Sequence, residues 1–286
     1  MESQPNRNTG TGQLFVVATP IGNLADISYR AVEILKQADA IAAEDTRTSA
    51  RLLSHYGIAT PMFACHEHNE AELATQLLAR LRQGQNIALI SDAGTPLISD
   101  PGFRIVRALR QAGIRVTPIP GACSPIVALS AAGLPTDRFT FLGFLPRSGA
   151  KREAVLRQIA NAEHTHVLLE SPHRLLGTLR ELHACVEPEQ EVCVARELTK
   201  LFEEIFCGSL DDAIAHFEQQ PPRGEIVLIT GPAPPSKRIA DDTAILARLQ
   251  SPDMQTLAPS ARAKAVAKEL DVPKSRVYRL LADPPA

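Results

Sequence analysis

The sequence contains no tryptophan, and only three Tyr and nine Phe among 286 residues. A protein that grips single strands mainly by stacking would carry more aromatics. There is no excess of positive charge either: 30 Lys and Arg face 32 Asp and Glu, a net charge of −2. Any nucleic-acid contact must therefore be a local patch. No apolar run approaches the roughly 20 residues that cross a bilayer. Residues 1–12 are polar and lack the apolar core of a secretion signal. The five cysteines, Cys65, Cys123, Cys185, Cys193 and Cys207, are odd in number and show no Cys-x-x-Cys spacing. They read as free thiols in a reducing compartment, so a cytoplasmic location is expected.

Signature motifs are missing too. There is no G-x-G-x-x-G dinucleotide fingerprint, no G-x-x-x-x-G-K-[ST] phosphate loop and no G-x-S-x-G nucleophile elbow. Hydride transfer, ATP hydrolysis and serine hydrolysis all lose ground.

What is present is an α/β rhythm. Leu14–Ala18, Ala40–Ala43, Ile87–Ile90 and Ile114–Thr117 are short, continuous apolar runs. They are too short for helices and too continuous for strands with one wet face. Between them Arg30–Gln37, Glu70–Gln83 and Phe103–Ala112 read as amphipathic helices. Leu73, Leu77, Leu78 and Leu81 recur at three- and four-residue steps. Gly84 and Gly113 stand where helix C-caps belong. The order predicts a mostly parallel sheet covered by helices, over 13–145.

Near Leu145–Ala150 the pattern changes. Pro146, Ser148 and Gly149 form a candidate hinge. A second α/β domain is expected over 146–231: helix Lys151–Ala160, strand His166–Leu169, helix Arg174–Cys185, strands Glu191–Ala195 and Glu203–Cys207, helix Leu210–Gln219 and strand Glu225–Thr230. The two strands 191–195 and 203–207 lie close enough to pair antiparallel. Gly231–Ser236 is proline-rich and reads as a stiff linker. The remaining 237–286 reads as a small helical module with helices Asp241–Gln250, Ser260–Leu270 and Arg276–Ala282. Ser275 is a candidate cap for the last, in a helix-turn-helix-like arrangement.

The segment with most to say is Ser91–Gly102, Ser-Asp-Ala-Gly-Thr-Pro-Leu-Ile-Ser-Asp-Pro-Gly. It leaves a buried strand at its carboxyl end, where open α/β sheets bind ligands. It is about twice as long as a strand-helix turn needs. Thr19–Leu24 and Pro120–Ser124 sit at equivalent strand ends, and the second opens a helix whose N–H groups suit a polar ligand. Three such loops on one sheet edge predict a cleft. Glu44-Asp-Thr-Arg47, Glu170-Ser-Pro-His-Arg174 and Arg196-Glu-Leu-Thr-Lys200 place charge at further strand tips. Cys65-His-Glu-His68 has two histidines in alternation, too few to complete a metal site; it reads as a polar cleft wall, and no metal is expected.

Two stretches are locally basic. Arg147, Lys151, Arg152 and Arg157 mark the hinge. Arg262, Lys264, Lys268, Lys274, Arg276 and Arg279 stand against Glu269 and Asp271, a net charge near +4 in the last stretch. Such a patch on an otherwise acidic chain suits phosphate contacts.

Taken together, these segments resemble the tetrapyrrole-methylase superfamily of S-adenosylmethionine-dependent methyltransferases. Within it they are similar to the small-subunit ribosomal RNA 2′-O-ribose methyltransferase I family, from about Gln13 to Thr230. The resemblance is carried by Ala18–Leu24, Glu44–Arg47, His66–Asn69, Ser91–Gly102, Gly143–Pro146, Glu170–Arg174, Arg196–Lys200 and Arg223–Val227. Tetrapyrrole and diphthine members usually have a Gly-x-Gly-x-Gly-like first loop. Here Ala18 and Pro20 fill the first two glycine positions, which favours the RNA branch.

The resemblance implies two class III methyltransferase α/β domains with S-adenosylmethionine in the cleft between them, and a homodimer. It implies donor contacts from Ile21, from Ser91, Asp92, Gly94 and Thr95, from Cys123 and Ser124, and from Glu170, Leu198 and Ile226. It also implies a cytidine ribose in the decoding region of 16S rRNA, within the small ribosomal subunit, as substrate. Removing the ribose proton calls for a base, and Asp45, His68, Asp100 and Glu170 are the candidates. Arg147, Lys151, Arg152, Lys274, Arg276 and Arg279 are the candidate RNA contacts. A precorrin-type small-molecule methylase and a non-catalytic RNA-binding module are the rival readings.

Overall fold

A computed structural model describes residues 10–65, 70–186, 190–233, 242–270, 272 and 274–282. The chain divides into two compact units, 1–232 and 233–286.

The first sheet of the larger unit is wholly parallel. Its strands are β1 (Leu14–Val17), β2 (Ala40–Ala43), β3 (Met62–Ala64), β4 (Ile87–Ile90) and β5 (Val116–Ile119), in the order β3-β2-β4-β1-β5. Parallel neighbours need helical crossovers. These are α1 (Tyr29–Gln37), α2 (Thr46–His55), α3 (Glu70–Arg82) and α4 (Phe103–Gln111). β2 and β4 are buried at every residue, because helices cover both faces. Leu14 packs with Leu77, Leu81, Ile105 and Leu109 on one side. The adjacent Phe15 and Val17 pack with Leu35, Ile41 and Leu53 on the other.

β5 begins two residues later than the apolar run suggests. It includes Pro118, which lacks the N–H of a central strand and sits here on the sheet's edge. β3 and α2 are additional to the expected elements.

The second sheet follows α5 (Ser124–Ala131). Its strands are β6 (Phe139–Phe144), β7 (Thr165–Glu170), β8 (Glu191–Arg196), β9 (Glu204–Ser209) and β10 (Ile226–Thr230), ordered β6-β7-β10-β8-β9. β6 and β7 are parallel; the other pairs, β8 with β9 among them, are antiparallel. The helices α6 (Ala150–Ala160), α7 (Leu175–His183) and α8 (Leu210–Gln219) pack on one face, around Leu168, Leu179, Leu228 and Phe217. On the opposite face α5, Ile21 and Leu198 join Val167, Ala195 and Val227 in one cluster. β6 lies before the expected hinge at 145–150 yet is hydrogen-bonded into this second sheet.

The smaller unit comprises α9 (Asp242–Leu249), α10 (Pro252–Gln255), α11 (Pro259–Glu269) and α12 (Lys274–Ala282) around Ile245, Val266, Val277 and Leu280. α12 starts at Lys274, so Ser275 lies inside the helix and not at the expected cap position before it.

Candidate functional site

In the first sheet the chain leaves β1 toward β2 on one side and leaves β4 toward β5 on the other, while β1 and β4 are neighbours. The winding reverses between them, which is where open α/β sheets form a crevice. The loops after these two strands are stitched together there. Thr19 N–H donates to Gly94 O at 2.9 Å and Gly94 N–H to Thr19 O at 3.1 Å. Thr19 Oγ1 reaches Ser91 O at 3.2 Å. Thr95 Oγ1 donates to Ala122 O at 2.9 Å, fixing the long loop against the start of α5.

The second sheet closes over this edge. Asn23 N–H donates to Thr199 Oγ1 at 3.0 Å. Gly22 approaches so closely that a Cβ there would lie 2.8 Å from Leu198 O and 2.5 Å from Lys200 Cγ; only glycine fits. Lys200 Nζ pairs with Glu197 at 2.9 Å and Glu225 at 3.3 Å, holding the two loops of the second sheet together.

Between the sheets lies a cavity of about 400 Å³, in the range that takes a small organic ligand. Ile21, Asp92, Ser124, Glu170, Leu198 and Ile226, all expected donor neighbours, are part of its wall, and so is Asp100. Ser91, Gly94, Thr95 and Cys123 are not part of that wall; Ser91 and Thr95 tie the adjoining loops through bonds to Gly94 O and Ala122 O, and Cys123 O accepts N–H groups from the first turn of α5. Glu44, Ser99, Phe144 and Glu225 also line the cavity, although residue reasoning did not single them out. All four belong to segments already noted: Glu44–Arg47, Ser91–Gly102, Gly143–Pro146 and Arg223–Val227. Which side chain faces the cavity depended on strand pairing.

Four non-glycine residues among those described have left-handed backbones: Leu97, Ser99, Glu197 and Thr199, with φ of 75°, 69°, 50° and 65°. Leu97 and Ser99 lie on the loop after β4 and Glu197 and Thr199 on the loop after β8, both of which border the cavity. Such conformations cost about 1–3 kcal/mol each and gather at functional sites.

The carboxyl groups differ in kind. Burial, reinforced by the like charges of Glu44 and Asp92 and opposed by a Ser91 hydrogen bond, pushes Asp100 up to about 6. Partial desolvation also raises Glu44 and the largely exposed Asp92. Asp45 goes the other way. Its carboxylate accepts the Arg47 side chain at 2.8 Å and caps α2 through Arg47 N–H, and these bonds hold it down to about 2. So weak a base is ill-suited to take a hydroxyl proton, and Asp45 is absent from the cavity wall. Glu170 is 3% exposed and already accepts Ser171 N–H at 2.8 Å and Thr178 Oγ1 at 2.7 Å, with Arg174 at 3.4 Å. It anchors the end of β7. His68 lies outside the described residues.

The candidate RNA contacts divide. Arg147 and Lys151 are exposed. Arg152 is not: it is 7% exposed, and its guanidinium binds Glu181 at 2.7 Å, Thr178 Oγ1 at 2.9 Å and Pro146 O at 3.1 Å. It is a buried tie between α6 and α7, with all three of its nitrogens already engaged. In the smaller unit Lys274 and Arg279 are exposed, whereas Arg276 is half-buried in an ion pair with Asp242 at 2.7 Å. Asp242 lies before the basic stretch 262–279 in the chain and neutralises part of its surplus.

The sequence profile of the Tetrapyrrole (Corrin/Porphyrin) Methylases matches residues 13–214. The chain is 53% identical over 228 residues to ribosomal RNA small subunit methyltransferase I of Haemophilus influenzae, covering 79% of this chain and 81% of that one. It is 46% identical to the Escherichia coli O157:H7 protein of the same name, covering 98% of both chains. Among solved structures, a cobalt precorrin-4 methyltransferase is 18% identical, with a TM-score of 0.61 over 77% of this chain and 94% of its own. A uroporphyrin-III C-methyltransferase from Thermus thermophilus, complexed with S-adenyl homocysteine, is 21% identical, with a TM-score of 0.54 over 77% and 97%. At these identities the structural likeness speaks for the fold.

Proposed function

The chain belongs to the tetrapyrrole methylase family and, within it, to the ribosomal RNA small subunit methyltransferase I group, and we propose that it methylates the 2′-hydroxyl of a cytidine ribose in the decoding region of 16S rRNA. The donor is S-adenosylmethionine, whose sulfonium supplies an electrophilic methyl group. The acceptor is the assembled small subunit, and the enzyme acts as a cytoplasmic homodimer.

The observation that carries this reading is Asp100. It is a carboxyl group in the wall of the cavity between the two sheets, desolvated enough to hold a proton up to a pKa of about 6. In-line displacement on a sulfonium releases a neutral leaving group, so no acid is required. Positioning does most of the work, and a base tuned near neutrality takes the hydroxyl proton. Asp100 is that base in this proposal. The apolar wall of Ile21, Leu198 and Ile226 suits a donor's flat ring. Asp92 offers acceptors for its hydroxyl or amine groups, and the α5 N-terminus, which no side chain caps and whose second residue is Pro125, offers the Ser124 N–H.

Small subunits from a strain lacking this protein, incubated with labelled methyl donor and the enzyme, are expected to carry the label on a cytidine 2′-oxygen after digestion to nucleosides. Label on a base overturns the ribose assignment. Label on a porphyrinoid but not on subunits moves the protein to the small-molecule branch. Absence of turnover with either leaves a binding module.

A further inference from the structure

We propose that the Phe144 ring is the platform on which the nucleobase of the target nucleotide stacks. This rests on the RNA-methylating reading above and specifies how that substrate is held.

β6 carries a bulge. Along the β6–β7 pairing Phe141 is opposite Val167, but Gly143 is opposite Leu168 and Phe144 opposite Leu169, so Leu142 is an extra residue. Side chains alternate faces along a strand. Val167 packs on the cavity side of the sheet and Leu168 on the helix side. Without the extra residue Phe144 would follow Thr140 and Leu142 onto the helix side. The bulge turns it onto the face of Leu169, which also lines the cavity. Bulges beside active sites re-aim side chains in this way.

Gly143 makes the turn possible. Its φ is +62°, and a Cβ there would touch Ser99 Oγ at 3.4 Å. The end of β6 is thus set against the long loop that carries Asp100. The result is a phenyl ring that is 59% exposed and is the sole aromatic ring in the cavity wall among the described residues. In a chain so poor in aromatics, this ring stands exposed in the wall of a ligand-sized cavity instead of in a core.

Chemistry supplies the occupant. A ribose hydroxyl can reach a base within such a pocket only if its nucleotide is drawn out of its neighbours' stack. The nucleobase then lacks a partner for its π-face, and an aromatic side chain replaces the lost stacking.

The absence of tryptophan makes the test direct, because Phe144→Trp creates the only indole in the protein. Its emission is expected to be quenched when unmethylated small subunits are added with S-adenosylhomocysteine, while that of Tyr29→Trp, at an exposed position opening α1, stays unchanged. In methyl transfer Phe144→Ala and Phe144→Leu should lower kcat/KM roughly tenfold or more. Donor affinity by calorimetry should hold, and Phe144→Trp should retain activity. Wild-type rates in Phe144→Leu, or an unquenched Phe144→Trp, overturn the platform while leaving the methylation reading intact. Emission that changes with protein concentration in the absence of RNA also overturns it, since a second copy then covers the ring. A wild-type enzyme that fails to methylate the subunits refutes the underlying reading itself.

Discussion

The Asp92 carboxylate accepts the backbone N–H of Asp45 at 3.0 Å, tying the loop after β4 to the end of β2. Asp92 N–H in turn faces Glu44 Oε2 at 3.4 Å. The edge of the parallel sheet is therefore laced by carboxylates, and the same groups line the cavity. One oxygen of Asp92 is committed to the backbone, and the side chain still borders the cavity.

Asp92→Ala should weaken S-adenosylmethionine binding about tenfold or more, since a hydrogen bond to a charged group is worth about 1.5–3 kcal/mol. Asp92 is exposed, so the melting temperature should change little. Calorimetry that finds unchanged donor affinity removes Asp92 from the site.

Asp100 should govern the pH profile. As a base it must be ionised, so turnover rises as pH climbs through about 6 and levels off above. Asp100→Asn should lose most of kcat, keep donor affinity, and abolish that inflection. A variant with normal turnover, or a wild-type profile flat between pH 5 and 7, assigns the proton to another acceptor.

The strands legible in the sequence are those with uniform burial. Ala40–Ala43 and Ile87–Ile90 are continuous apolar runs because helices cover both faces, and their limits coincide with β2 and β4. β6 is illegible for a physical reason: its bulge at Leu142 and the left-handed Gly143 break the period of two. The loops of the site announced themselves by length and by Gly and Pro content. The inward residues did not, because Glu44 and Phe144 face the cavity through strand pairing that one sequence does not display. Arg152 shows the converse. Among Arg147, Lys151 and Arg157 it reads as one more surface cation, yet the helix turns it inward onto Glu181.

His166 should make the fold acid-sensitive. It is fully buried on β7 and neither ring nitrogen has a hydrogen-bond partner. Burial, helped by the neighbouring His164 ring 4.7 Å away, holds its pKa down at about 4 against an ordinary 6.5. Between those values the unfolded chain takes up a proton that the folded chain refuses. Stability is therefore complete above pH 6.5 and lost as pH falls through 4, by on the order of 3 kcal/mol. Denaturant titrations should show this acid loss diminished in His166→Leu. Parallel losses in the two proteins would place the sensitivity elsewhere.

The smaller unit should serve RNA engagement and not the chemistry. It is a separate compact unit with its own core, and the cavity of the larger unit is built from that unit's own residues. Removing residues 237–286 should leave donor affinity unchanged and weaken binding to the small subunit. The choice of charge reversals follows from the ion pairs. Arg276 is held by Asp242, so reversing it would disturb the packing of α12 and confuse loss of fold with loss of contact. Lys274 is exposed, and Arg279 is exposed with its nearest carboxylate 3.8 Å away. Lys274→Glu with Arg279→Glu should therefore lower RNA affinity and reduce the salt slope by about two, because each phosphate contact contributes about 0.9. Sedimentation run beside the binding assay separates a second role, since a unit that holds two copies together would change oligomeric state on truncation. A truncated protein that keeps the wild-type oligomeric state and binds the subunit as tightly as the full chain would show that the RNA is held entirely by the larger unit, with the exposed Arg147 and Lys151 as the next cations to reverse.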